Sequence, residues 1–194
     1  MTNEVLECIK KRRSIRKFLP EQIKDEELNA ILEAGTWAPS GGNNQTWLFT
    51  AIQNRSILRP LNKLVKEAML TWEPDDNYPN KLKNKEKAKN DDYDFYFDAP
   101  TLVILSNVPG YQNAMADCAL AAGNMFLAAA SMGIGSCYIN TLRWLRDIES
   151  VREFLFKEVG LEREQVICMA ASFGYAGHQP EPPARKENTI RIIR

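Results

Sequence analysis

Apolar positions along this chain alternate between two rhythms, and the points of change mark out its elements. Val5, Leu6 and Ile9 predict a short amphipathic helix over residues 3–11, followed by an extended entry over 14–19. Leu28, Ile31 and Leu32 repeat at helical spacing behind Lys24-Asp25-Glu26-Glu27. Asp25 is the expected N-cap there, and Gly35 and Pro39 are the expected stop. Ile57, Leu58, Leu61, Leu64, Val65 and Met69 predict a further helix, and residues 148–159 another. Four stretches read as strands: 47–52, 100–107, 137–139 and 165–173.

Two stretches break the pattern. Residues 72–92 turn polar, with Pro74, Pro79 and lysines at 81, 83, 85, 87 and 89, and predict a solvated, mobile excursion. Residues 113–132 form a long helix rich in alanine, whose small side chains suit close packing in the core or against a second copy. Asp117, Asn124 and Ser131 interrupt that helix, so it does not read as a membrane span. Gly133 to Ser136 are expected to break it. The tail from Gly174 is proline-rich and ends on Ile190, Ile192 and Ile193, which need a surface in this chain or a partner. Helices and strands mix without βαβ alternation, so the expected class is α+β.

Composition narrows the function. The 194 residues suit one domain, 1–194, able to bury a sizeable core. Lys plus Arg equals Asp plus Glu at 25 each, so no global field draws nucleic acid or a membrane, and any anion site must be local. Four scattered cysteines and a single histidine, His178, give no metal spacing and little basis for a Ser–His or Cys–His hydrolase. Reduced thiols and the lack of an apolar leader point to a cytoplasmic protein.

The chemistry-bearing residues are dispersed. Arg12, Arg13, Ser14 and Arg16 place three guanidinium forks and a hydroxyl within five residues, a donor set that matches phosphate. The same run also serves as the basic end of a helix. Pro39-Ser40-Gly41-Gly42-Asn43-Asn44-Gln45 is a polar loop whose glycines would let backbone and amides approach a flat heterocycle. Gly133-Ile134-Gly135-Ser136 precedes Tyr138, Ile139 and Asn140, and Arg185-Lys186 follows two prolines. Neither a GxGxxG after a strand nor a Walker A loop is present.

Taken in order, RRSIRKF, EAGTWAPSGGNNQTW, SMGIGSCYI and FGYAGHQPEPPARK resemble the nitroreductase family of FMN-dependent oxidoreductases over essentially the whole chain. The resemblance implies a three-layer sandwich, with a central, mostly antiparallel sheet flanked by helices. It also implies an intertwined homodimer with exchanged C-terminal arms. FMN would be held by Arg12, Arg13, Ser14 and Arg16 of one subunit, with Arg12 and Ser14 toward phosphate and ribityl groups and Arg16 toward the pyrimidine edge. Pro39, Ser40, Gly41 and Asn43 would come from the other subunit, supported by Gln45. Tyr138, Ile139 and Asn140 would lie along the ring, and Arg185 (with Lys186 as its neighbour) would return to the phosphate. Thr46 departs from the proline common before the tryptophan, and the 72–92 excursion falls where substrate sites vary.

The implied activity is ping-pong hydride transfer from NADH or NADPH, through FMN, to nitroaromatic, quinone or similar acceptors. No metal and no catalytic side chain are required beyond Arg16 as a stabiliser of the flavin's N1/O2 edge. Three other readings stay open. The first is a specialised flavoprotein of the same fold (a dehalogenase, flavin-fragmenting enzyme or dehydrogenating oxidase), and the second a non-catalytic FMN-binding protein. A phosphate- or RNA-contacting module is the third, and zero net charge disfavours it.

Overall fold

The computed structural model describes residues 2–73 and 81–194. Four strands, β1 (Leu48–Ile52), β2 (Thr101–Asn107), β3 (Ile134–Ile139) and β4 (Val166–Tyr175), form one antiparallel sheet in the order β1-β2-β4-β3. Helices α1 (Glu4–Lys11), α2 (Asp25–Thr36), α3 (Arg55–Thr71), α4 (Lys81–Ala88), α5 (Ala114–Ser131), α6 (Thr141–Trp144) and α7 (Glu149–Phe154) surround it. The class is the expected α+β, and the layers are helix, sheet, helix.

β2 explains the layering. All seven of its residues are buried, and its side chains alternate between two cores. Leu102 and Ile104 pack in one core with Leu58, Leu61 and Val65 of α3, Leu142 of α6 and Val151 of α7. Val103 and Leu105 face Ile31 of α2 and Cys118, Ala121, Ala122 and Met125 of α5. Each fully buried Leu, Val or Met contributes about 1.5–3 kcal/mol, so the sheet is held from both sides.

Local signals set the boundaries. The Asn3 side chain accepts from Leu6 N–H at 2.9 Å and starts α1. At α2 the cap falls one residue earlier than expected, on Lys24, whose N–H donates to Glu27 at 2.8 Å; Asp25 is the first helical residue. Gly35 does not stop that helix. It lies inside it and is buried, because a side chain there would run into Met125 of α5.

Gly133 to Ser136 differ from expectation as well. Only Gly133 turns the chain (φ 76°); Ile134, Gly135 and Ser136 already belong to β3. The helix over 148–159 divides into α7 and a π turn, Leu155–Val159, closed by Gly160 at φ 74°. Within the polar 72–92 stretch, residues 81–88 are helical rather than irregular, and the expectation for 74–80 lies outside the described residues. Trp72, at the start of that stretch, stacks on Trp144 of α6 with ring centres 6.1 Å apart.

Candidate functional site

The 12–16 segment runs along the exposed edge of β3. Ser14 pairs with Ser136 in a parallel bridge, and Ile15 N–H donates to Ser136 O at 2.9 Å. Ile15 is 3% exposed and closes onto Gly135, where an added Cβ would sit 2.7 Å from the isoleucine side chain. Gly135 therefore lets the arginine segment approach the sheet.

Neither the Arg12 nor the Arg16 guanidinium has a hydrogen-bond or ion-pair partner among the described residues. Both bear on Cys137 of β3: burial pushes its thiol up, and the charges of Arg16 and Arg12 pull it back. Arg16 also lies 6.0 Å from the centre of the Phe97 ring. Phe97 and Asp98 have φ of 63° and 48°, conformations unusual for side-chain-bearing residues. Asp94 accepting from Tyr96 N–H (2.8 Å), Ser172 donating to Tyr96 O (2.8 Å) and Arg55 pairing with Asp98 (3.3 Å) hold them there.

Arg13 behaves differently. Its Nη1 donates to Lys10 O at 2.6 Å and Arg12 O at 2.7 Å, closing the end of α1, while its buried Nε has no partner among the described residues. A cavity of about 490 Å3 opens beside it, lined by Arg12, Arg13, Ser131, Gly133 and Gln179 among others. That volume lies within the range typical of small-molecule pockets. The chain crosses its rim on the way out: Gly177 N–H donates to Lys17 O at 2.8 Å, and Gln179 to Lys11 O at 3.4 Å. Beyond, residues 181–194 are exposed, and Arg185 has no partner among the described residues.

On β3, Tyr138 is 40% exposed and its hydroxyl bonds to Asn140, while Ile139 turns its side chain into the core at 3% exposure. Ile139 thus offers a neighbouring ligand only its backbone.

The 39–45 loop lies elsewhere. It contains a tight 3-10 turn, Gly41–Asn43, with Gly42, Asn43 and Gln45 at φ of 61°, 55° and 49°. Gly41 N–H donates to both carboxylate oxygens of Asp117, at 3.2 and 3.3 Å, and Gly41 O accepts from the Tyr111 hydroxyl at 2.9 Å. Gln45 N–H donates to Ser40 Oγ at 3.1 Å and its side-chain amide to Asn43 Oδ1 at 2.9 Å. Sequence reasoning missed Asp117 and Tyr111 as parts of this region. The available signal was a lone acid in the first turn of an otherwise apolar helix.

Asp117 begins α5, whereas the arginine cavity touches Ala130 and Ser131 at its end. At 1.5 Å per residue those points are about 20 Å apart along the helix. One chain brings Arg12, Ser14, Arg16 and Tyr138 together; it does not bring them to Pro39, Ser40, Gly41 and Asn43.

Between the two half-sites α5 is open. Leu120 is 48% exposed, Ala116 and Ala119 are exposed, and an added Cβ at Gly123 would meet nothing within 4 Å. Between Ala116 and Gly123 this face is apolar and has no cover among the described residues, while nearer the helix end α1 packs on it, the Cys8 thiol donating to Leu127 O.

Known proteins share this fold. A crystal structure of a nitroreductase with bound FMN from Bacteroides fragilis superposes with a TM-score of 0.90 at 42% identity, covering all of both chains. A nitroreductase with bound FMN from Desulfitobacterium hafniense shares the fold, with a TM-score of 0.85 at 24% identity over the full length of both. An FMN reductase (NADPH) of Bacillus subtilis is 26% identical over 160 residues, 79% of this chain and 59% of its own length. The model of the nitroreductase family matches residues 9–175, a span that takes in the arginine segment, the 39–45 loop, α5 and β3, and the chain belongs to that family.

Proposed function

We propose that the protein is an FMN-dependent oxidoreductase that works as a homodimer, passing hydride from NADH or NADPH to nitroaromatic, quinone or similar acceptors in ping-pong order. One observation carries the reading: two complementary half-sites lie at opposite ends of α5, and the face between them is apolar and uncovered. Packing two copies antiparallel along α5 sets the 12–16 segment of one against the 39–45 loop of the other. Gly123, close to the middle of the helix, lets the two backbones approach.

The residues present fit FMN. Arg12, the unpartnered Nε of Arg13 and the Ser14 hydroxyl offer donors for a phosphate beside a cavity of suitable size. Arg185, on the exposed tail, can add a further fork. Arg16, fixed over Phe97, supplies positive charge where a reduced ring becomes anionic. Tyr138 and Asn140 line the exposed β3 edge. FMN, when bound, supplies the centre that accepts and releases hydride, so the chain needs few acid–base groups. The four free cysteines suit the reducing cytoplasm.

The test is uptake of FMN by the flavin-free protein, followed by NADH and NADPH oxidation with a nitroaromatic or quinone acceptor. Flavin-dependent turnover is the expected result. Tight FMN without reduction by either nucleotide would make this a binding protein, and failure to take up FMN would overturn the reading.

A further inference from the structure

Gly41 is tied at both of its backbone polar atoms, so the two peptide groups that flank it are each held. Its N–H is held by Asp117 at 3.2 and 3.3 Å, and its carbonyl by the Tyr111 hydroxyl at 2.9 Å. Asn44 adds a long contact to the same hydroxyl at 3.5 Å. A side chain here would have to displace the ends of its neighbours. An added Cβ would collide with the Asn113 side chain and lie 2.6 Å from the Tyr111 oxygen.

Asp117 is 3% exposed and forms no ion pair among the described residues. A buried carboxylate is costly unless something stabilises its charge. Here the Gly41 N–H and the positive end of α5 do so, since Asp117 lies in that helix's first turn.

We infer that Asp117 and Tyr111 are positioning residues that fix the two peptide planes flanking Gly41 and so preorganise the flavin-facing wall from α5, an inference that rests on the flavin reading above. The three residues at positive φ that follow, Gly42, Asn43 and Gln45, depend on that fixed start. With the Gly41 N–H and carbonyl both occupied, the loop's contacts to a ligand pass to other atoms. Ser40 Oγ accepts from Gln45 N–H and Asn43 Oδ1 accepts from the Gln45 amide, which leaves the Ser40 hydroxyl proton and the Asn43 Nδ2 hydrogens as outward donors. The same contacts link the helix with the open face to the affinity of the pocket.

The experiment is titration of flavin-free protein with FMN for the wild type and for Asp117→Ala, Asp117→Asn and Tyr111→Phe. Visible circular dichroism of bound flavin reports the wall's geometry, and the melting temperature of each flavin-free variant reports folding. Asp117→Ala should raise the FMN Kd by about tenfold or more, as expected when a charge-assisted bond is lost. Its visible dichroism should change too. Asp117→Asn keeps an oxygen that accepts from Gly41 N–H and should stay within about threefold of wild type. Tyr111→Phe, at a partly exposed position, should fall between them with an unchanged melting temperature. Wild-type Kd and dichroism in both Asp117→Ala and Tyr111→Phe would overturn the inference, as would Asp117→Asn losing as much affinity as Asp117→Ala. If the wild type takes up no FMN, the flavin reading fails and this inference with it.

Discussion

The two faces of α5 have much the same composition and opposite fates. On the inner face Asp117, Cys118, Ala121, Ala122, Met125 and Ala129 are buried, and Met125 presses so closely on α2 that only Gly35 fits opposite it. On the outer face Ala116, Ala119, Leu120 and Gly123 meet solvent in the single chain. A glycine inside a helix costs roughly 1 kcal/mol relative to alanine. At Gly35 the contact with Met125 accounts for that cost, whereas at Gly123 nothing among the described residues does. The difference teaches that the protein's own core explains one half of this helix, and the proposed second copy is what would explain the other half.

The strongest way to break the comparison is Leu120→Glu. It places a charge on the outer face without touching the core, so the protein should remain folded by circular dichroism. Light scattering should show monomers, and the flavin-to-protein absorbance ratio should collapse. If a dimer with full flavin survives, the outer face has been assigned wrongly.

Next in size come Arg12→Ala and Arg16→Ala, each expected to weaken FMN binding roughly 10- to 100-fold through loss of a charge-assisted contact. Arg16→Ala should also lower the flavin reduction potential, and a titration leaving both its affinity and its potential unchanged would remove the role given to Arg16. Gly35→Ala probes the inner face. It should destabilise the fold by about 1–3 kcal/mol through overpacking against Met125, with flavin stoichiometry intact in the folded fraction.

The smallest expected effect concerns pH, away from α5's open face. Glu27 accepts from Lys24 N–H and from the Tyr175 hydroxyl (2.7 Å), and these bonds hold its carboxyl below its ordinary value of 4.5. Because the folded-state value is the lower one, this contribution is present above pH 4.5 and is lost as pH falls through the folded value. The Tyr175 hydroxyl is correspondingly pushed up to about 12 by Glu27, so its share is present below its ordinary value of 10.0 and fades as pH rises toward 12. Melting curves of Glu27→Gln should therefore show a shallower acid decline than wild type; parallel curves would argue that the clip contributes nothing.

Local pattern made most of the fold legible. The helical stripe at Leu58, Leu61, Val65 and Met69 and the continuous apolar run of β2 appear where periodicity put them. Glycine was the residue misread. Gly35 and Gly135 looked like breakers, yet each is a close-approach position, and the partner that makes it so, Met125 or Ile15, is distant in sequence.

For the candidate site, the resemblance named residues and divided them between two subunits, but periodicity and spacing gave neither their contacts nor their distances. Arg13 looks like Arg12 in sequence, and only the carbonyls of Lys10 and Arg12 show that it is turned toward the helix end. Asp117 looked like an interruption in an apolar helix rather than the anchor of a loop 76 positions earlier. No sequence pattern states that the two half-sites lie at opposite ends of one helix, because that distance is a property of the packed sheet.

The central claim, that two copies complete one pocket, is tested most directly by mixing two broken proteins. A variant with Arg12→Ala and Arg16→Ala and another with Ser40→Ala and Asn43→Ala are each refolded alone and then together, and bound FMN is measured. Each alone should be nearly colourless. A statistical mixture places one intact pocket in each mixed dimer, so bound flavin should return to about a quarter of the wild-type level. No recovery from mixed dimers that demonstrably form would contradict the shared pocket.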